Sequence, residues 1–415
     1  MRICLITPEL APYRYGGIGR YVKTLAWGLS QRGHQVVVMG YQLHPQDTLE
    51  HEWGRSISVT WEGRFLWRLK KIGHLLSAAF ALRKLFLTVR PDFDIVEAPN
   101  WGGQSFLLPR LHCPLVVRLS TPHMDTLTSR PTLADRTINA AEDYLCRRAS
   151  LVIANSNSMA CKADERYRVR GLIPVIPHGI EPGDEPQFLS NNAVDLLFVG
   201  RAEYRKGMDV LLLALGEIME KEPQLTMTFV GANLNKFVKD KPELSEVLDY
   251  LRNTCATRFR ELGRVDEAQK VRLFREADWV LVPSRFESFG IVAIEAMREG
   301  TPLIASRASG IEEIAGLLST TLFVPPGNRD ALVMALKQAL ILGASYKEKV
   351  AHSVRETFLS RFSADAMVNA TERTYMEVVM SHRNRRQFVI RRISDSPQCS
   401  EHSRQIDASP DGEAR

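Results

Sequence analysis

The chain has 415 residues, 45% hydrophobic and 25% charged, with a net charge of +6 at neutral pH. That length predicts two domains, and that balance fits a globular protein rather than a disordered or fibrous one, with no ground for a nucleic-acid partner. No apolar run reaches the length of a membrane span. Six cysteines without Cys-x-x-Cys spacing are expected to be reduced thiols of a cytoplasmic protein, not disulfides or a zinc site.

From the start, apolar strands alternate with helical stretches. Residues 1–6 read as a strand beginning at once rather than as a signal peptide. A glycine-rich turn follows, then a helix over about 19–32 and a strand over 35–39. The turn, Tyr15-Gly16-Gly17-Ile18-Gly19-Arg20-Tyr21, falls short of a dinucleotide fingerprint. Gly17-Ile18-Gly19-Arg20-Tyr21-Val22 lacks the third fingerprint glycine, and Met39-Gly40-Tyr41 places no acid after the next strand. Between Arg64 and Arg90 lie Arg68, Lys70, Lys71, Arg83 and Lys84 with no acid, while Phe65, Leu69, Ile72, Leu76 and Phe80 recur at helical spacing. Two readings of this segment stand: a basic amphipathic helix lying on an anionic membrane surface, or a domain helix whose apolar stripe faces its own sheet.

Asp92-Phe93-Asp94 matches the Asp-x-Asp of metal-dependent transferases only superficially, since it precedes a strand, and no metal is expected. Strands at 95–97, 115–119, 151–154 and 175–177 complete the first half. Ser156-Asn157-Ser158 reads as a helix cap. Residues 178–192 are polar and rich in Pro and Gly, a linker. A second alternating series has strands at 196–199, 226–230, 258–262, 280–283, 303–305 and 322–324. Such alternation predicts α/β architecture, two parallel-sheet Rossmann-like domains facing each other across a cleft, with ligands at the C-terminal strand ends. The expected division is 1–180, 193–355, a helix at 364–380, and a disordered basic and polar tail at 381–415.

Two stretches carry chemistry. Gly200-Arg201-Ala202-Glu203-Tyr204-Arg205-Lys206-Gly207 joins a strand to a helix, a basic loop suited to phosphate; Arg205 is taken as solvated. In Glu287–Gly300, ESFGIVAIEAMREG, two carboxylates stand with seven residues between them. Glu287 belongs to the loop entering a helix that Gly300 terminates, and Glu295 is expected about two turns inside it. The first amides of that helix, near Phe289, Gly290, Ile291 and Val292, form a natural anion site. Acids at two depths with amides between them fit a sugar nucleotide.

The longer string PSRFESFGIVAIEAMREGTPLIAS closely resembles the donor-binding signature of the family 4 retaining glycosyltransferases. The resemblance covers about residues 1–380 and implies a GT-B fold whose last helix crosses back onto the first domain. It implies transfer of a sugar from a nucleoside diphosphate, UDP by prior, to a glycan, lipid-linked or small-molecule acceptor, with retention and without metal. Polysaccharide or glycolipid biosynthesis would be the setting, in the cytoplasm or on the inner face of the plasma membrane. Arg201 and Lys206 would hold the diphosphate, Glu287 the transferred sugar, Glu295 the ribose and Val265 the base through its backbone. Gly16 and Gly17 would line the cleft floor near donor phosphate and acceptor. Many family members carry a histidine after the strand at 115–119. Here Ser120 occupies that position and His123 follows three residues later, so His123 fills the role through a shifted loop, Ser120 fills it, or the role is absent. Rival readings are a glycoside phosphorylase, a nucleotide-sugar epimerase, and a non-catalytic sugar-nucleotide sensor. Sugar phosphate formed from glycoside plus phosphate would mark the first, and absence of turnover the last.

Overall fold

The computed structural model describes residues 1–10, 13, 16–61, 66, 69–89, 92–127, 130–167, 171–185 and 193–394. The first sheet contains β1 (Arg2–Ile6), β2 (Gln35–Tyr41), β3 (Thr48–His51), β4 (Gly54–Val59), β5 (Ile95–Pro99), β6 (Leu115–Arg118) and β7 (Leu151–Ile153), in the order β3-β4-β2-β1-β5-β6-β7. The second contains β8 (Val194–Val199), β9 (Leu225–Val230), β10 (Phe259–Leu262), β11 (Trp279–Val282), β12 (Leu303–Ser306) and β13 (Leu322–Val324), in the order β10-β9-β8-β11-β12-β13. Helices cover both faces of a parallel sheet, so its central strands are apolar throughout. Trp279, Val280, Leu281 and Val282 are accordingly all buried.

The sheets are parallel except at one edge, where β3 pairs antiparallel with β4. This hairpin was not foreseen. Its strands are half-polar and alternate between exposed and covered positions, as an edge ribbon does. In each sheet the strand order reverses beside the first strand, β1 or β8, and the crevice at the C-terminal strand ends opens there.

The chain passes between the domains twice, and the two passages are bonded together. Ile180 N–H donates to Phe362 C=O at 3.0 Å and Ala364 N–H to Ile180 C=O at 2.9 Å. Beyond this double passage the helix Ala364–Ser394 returns to the first domain, where Met367, Val368, Tyr375 and Val379 join the core beneath β1 and β2. The tail expected from 381 is thus helical as far as Ser394, and the rest of it lies outside the described residues. A buried network ties this helix to the sheet. Arg118 on β6 donates to both oxygens of Glu97 on β5, at 3.0 and 3.2 Å, and to Thr371 at 3.0 Å. Tyr375 O–H donates to Glu97 at 2.7 Å. No described helix is long and apolar enough to cross a membrane.

Candidate active site

Two loops meet at the C-terminal ends of β8 and β11. After β8 the chain makes a short turn at Tyr204–Lys206 and enters the helix Met208–Ile218 through Gly207, at φ +70°. A Cβ on Gly207 would lie 2.0 Å from the Pro283 carbonyl oxygen, so only glycine lets the loops approach. Arg285 locks them further. Its guanidinium forks onto Asp209 at 2.7 and 2.8 Å and stacks on Tyr204.

This packing places two cations on Glu287. Lys206 donates to one carboxylate oxygen, Arg205 to the other at 3.2 Å, and Ser284 O–H adds a bond at 3.1 Å. Burial pushes the Glu287 carboxyl up, but the two cations outweigh it and hold it below the usual range. Arg205 is therefore not solvated. Its side chain is 13% exposed, whereas that of Arg201 is 77% exposed and pairs with Glu203 at 2.9 Å. The turn at Tyr204–Lys206 decides which arginine faces inward, and loop composition alone does not encode that.

Past Glu287 the helix Ile291–Arg298 starts at Gly290, φ +105°, with no described side chain capping it. Ala293 N–H donates to the Gly290 carbonyl at 2.9 Å, which leaves the Ile291 and Val292 amides as the donors of the helix start. Phe289 is buried, Ile291 and Val292 half-buried, and a Cβ on Gly17 of the first domain would touch Ile291 at 3.3 Å. The glycine turn thus abuts this helix start. Glu295 sits one turn in, not two, and is buried. It pairs with Lys270 at 2.9 Å and with Arg20, which reaches across from the helix Gly17–Gln31 and also holds Glu267. Burial and neighbouring Arg20 bring the Lys270 ammonium down to about 8. Val265 is half-buried against the core beneath β11. Further contacts bridge the domains: Thr121 O–H to Ser288 Oγ at 2.9 Å, and Ser156 O–H to the Ser288 carbonyl at 2.8 Å. Ser156 also caps its own helix by accepting from Met159 N–H.

On the first domain's side, Ser120 bonds Asn100 through its amide and its hydroxyl. His123 opens a short turn, its ring nitrogen Nε2 2.8 Å from Asp135. Glu142, fully buried on the helix Leu133–Arg148, accepts from Gly102 N–H at 2.8 Å and from His123 N–H at 3.2 Å. One carboxylate thereby fixes the turns after β5 and β6. Burial raises it to about 7, although both amides and Arg166 favour its charge. The folded state therefore keeps a proton that the unfolded chain loses near pH 4.5. Stability from this group is full below that pH and lost as pH rises to about 7. Denaturation of wild type and Glu142→Gln at pH 5 and pH 7 should show it: the wild type loses ground against the variant at the higher pH. His178, buried between Tyr21 and Phe289, is driven down to about 3 by burial and by Arg118, so it is neutral at physiological pH.

Among the described residues no cluster of His, Cys, Asp and Glu could hold a metal. Asp92 and Asp94 lie at the opposite end of the sheet, before β5, paired with Arg2 and Arg383 respectively.

Two family models match the chain: that described as Glycosyltransferase Family 4 over residues 15–184, and that described as Glycosyl transferases group 1 over 184–356. The chain belongs to the family 4 glycosyltransferases. It is 28% identical to the glycogen synthase of Mycobacterium tuberculosis, over 91% of this chain and 94% of that protein. Among solved structures, sucrose-phosphate synthase of Thermosynechococcus elongatus superposes with a TM-score of 0.73 at 21% identity, covering 92% and 99% of the two chains. Anabaena HepE in complex with UDP and glucose gives 0.66 at 21% identity, over 90% and 99%. These neighbours share the GT-B fold of this glycosyltransferase. Reading its sequence missed Arg205, Arg20 and Glu142. The last could have been flagged, as a glutamate on the apolar side of a helix needs a partner.

Proposed function

We propose that this glycosyltransferase moves a sugar from a UDP sugar to a glycan, lipid-linked or small-molecule acceptor, with retention of configuration. The carrying observation is Glu287, held ionised by Lys206 and Arg205 beside the uncapped start of the helix Ile291–Arg298. The bond from the anomeric carbon to the diphosphate breaks, and the acceptor oxygen bonds the same face of that carbon. The acceptor's proton passes to the departing phosphate oxygen. Charge grows on the diphosphate, which Arg201, Lys206 and the helix amides stabilise. An ammonium has three N–H donors, so Lys206 can hold Glu287 and a phosphate oxygen together. Glu287 orients hydroxyls of the transferred sugar. Glu295 takes the ribose hydroxyls once Arg20 is displaced, and Val265 holds the base through its backbone. Gly16 and Gly17 bring the cleft floor close to the sugar.

A screen of nucleotide sugars for binding and slow hydrolysis tests this reading, and NMR of the first product reads the anomeric configuration. An inverted product would exclude the front-face route. Lys206→Ala and Arg201→Ala should each lose about 1.5–3 kcal/mol of nucleoside-diphosphate affinity, roughly ten- to hundredfold. Calorimetry finding both unchanged would remove the loop from the donor site. Glu295→Gln should chiefly raise the donor KM. If His123 lies beside the sugar, His123→Ala lowers turnover with nucleotide affinity kept; if Ser120 fills that place, Ser120→Ala does so instead.

Location in the cytoplasm, with reversible attachment to an anionic membrane, completes the proposal. Arg64, Arg68 and Arg90 lie outside the described residues. On the helix Lys70–Val89, Lys71 pairs with Asp135 and Arg83 donates to the Leu107 carbonyl. Lys70 and Lys84 are exposed, together with Leu69, Phe80 and Leu87. At about 1 kcal/mol per basic residue, attachment would be weak and salt-sensitive. Co-sedimentation with anionic but not neutral vesicles, lost at high salt, is the expected result.

A further inference from the structure

Three cations stand in the loop after β8, and the structure gives each a different freedom. The side chain of Arg201 is 77% exposed, that of Lys206 17% and that of Arg205 13%. Arg205 is also pinned at both ends. Its Nη1 donates to the Phe286 carbonyl at 2.9 Å and to Glu287 at 3.2 Å, and its Nη2 to Glu203 at 3.2 Å. Its own backbone carbonyl accepts from Arg285 N–H at 2.8 Å, and its Nε is buried. We infer that Arg205 is a positioning residue that keeps Glu287 charged and aimed while the donor's diphosphate draws on Lys206, an inference that rests on the sugar-transfer reading above.

The two oxygens of Glu287 are held separately. Lys206 and the Ser284 hydroxyl both bond Oε1, whereas Arg205 bonds Oε2. Lys206 has one ammonium for two anions. Once it serves the diphosphate as well, its hold on Oε1 weakens. A buried carboxylate left without a cation takes up a proton. It would then become in part a donor where sugar hydroxyls need an acceptor. Arg205 prevents this because a phosphate cannot claim its inner nitrogen: both hydrogens of Nη1 are already bonded within the two loops. With Arg205 on Oε2 and Ser284 on Oε1, each oxygen keeps a partner and the carboxylate cannot swing.

Glu203 secures the outer end of the same arrangement. One of its oxygens takes Arg205 and the other takes Arg201. When Arg201 turns to the diphosphate, Glu203 remains with Arg205 and holds the guanidinium against the pull of the new anion. Other charges nearby are matched to one another: Asp209 with Arg285, and Lys162, which lies over the Phe286 ring, with Asp125. His178, against Phe289, is neutral. Burial pushes the Glu287 carboxyl up, and Lys206 and Arg205 bring it down, so a Lys206 shared with phosphate leaves Arg205 to oppose burial.

The test compares Arg205→Gln with the wild type in the full chain. It uses the nucleotide sugar that the screen identifies and its nucleoside diphosphate, UDP in the reading above. At about pH 6, calorimetry in two buffers of different ionisation enthalpy counts the protons exchanged when the diphosphate binds, and subtracting the wild type removes the titration of the ligand itself. The variant should take up about half a proton or more beyond the wild type, and the acid limb of its kcat profile should move up by about one pH unit or more. Diphosphate affinity at about pH 8 should stay within about fivefold, short of the roughly tenfold or more that a lost phosphate contact costs. Arg205→Lys should undo most of the shift. Arg205→Met, which keeps the stem of the side chain, carries the same measurements should the first variant not fold. An acid limb that stays in place or a proton count equal to that of the wild type would overturn the inference, leaving Arg205 a brace of the loop. A larger loss of affinity would overturn it too, by making Arg205 a diphosphate ligand. A wild type that neither binds nucleoside diphosphates nor hydrolyses any nucleotide sugar would instead overturn the reading beneath it.

Discussion

Glu287→Gln is expected to lower turnover by about a hundred- to a thousandfold, the usual effect of deleting one preorganised electrostatic contact, ~2.7–4 kcal/mol. The amide keeps the shape of the carboxylate but not its charge. Lys206 and Arg205 then lose their common counter-ion, and with it the geometry that aims Lys206. The same change has a signature in stability. The Glu287 carboxyl is depressed in the folded state, so its ion pairs contribute fully above the unfolded value of 4.5 and are lost as pH falls through the folded one. The stability gap between wild type and Glu287→Gln should therefore be widest at neutral pH and close in acid. Comparable turnover in the two proteins, with the gap independent of pH, would make Glu287 a bystander.

Glu97→Ala should produce the largest loss of stability, about 3–5 kcal/mol, because it strands a buried guanidinium. Arg118 is 1% exposed, its guanidinium bonded to Glu97 and Thr371, with Tyr375 also against it and Tyr21 beneath its face. Burial works against its charge, and Glu97, joined by Tyr375, more than restores it. Urea denaturation reads the loss directly. Thr371→Val, which removes a neutral partner, should cost far less. An equal loss in both variants would mean that helix packing, rather than the charge, sets the cost.

What could be read before the structure follows the kind of signal involved. The strands of both sheets stand out because a strand covered on both faces must be apolar along its length, as Trp279–Val282 is. The edge strands Thr48–His51 and Gly54–Val59 escape because one side meets water and no continuous apolar run marks them. Glu287 and Lys206 are legible from neighbours in sequence. Arg205 is not, since the loop carries three cations and only the meeting with Pro283 and Arg285 turns that one inward. Arg20 on Glu295 joins residues far apart in the chain, and no local pattern announces it; the apolar side of its helix marks Glu142 as needing partners, but not which turns supply them.

The returning helix bears on how the protein is made. The first domain emerges from the ribosome before the second, yet Met367, Val368, Tyr375 and Val379 of its core follow the whole of the second. The second domain has no such debt to the far end of the chain, and it can close its core while the first still waits. Domains generally fold as units during synthesis. Here the order of completion is the reverse of the order of translation, and a chain stopped before residue 364 would leave its earliest part unfinished.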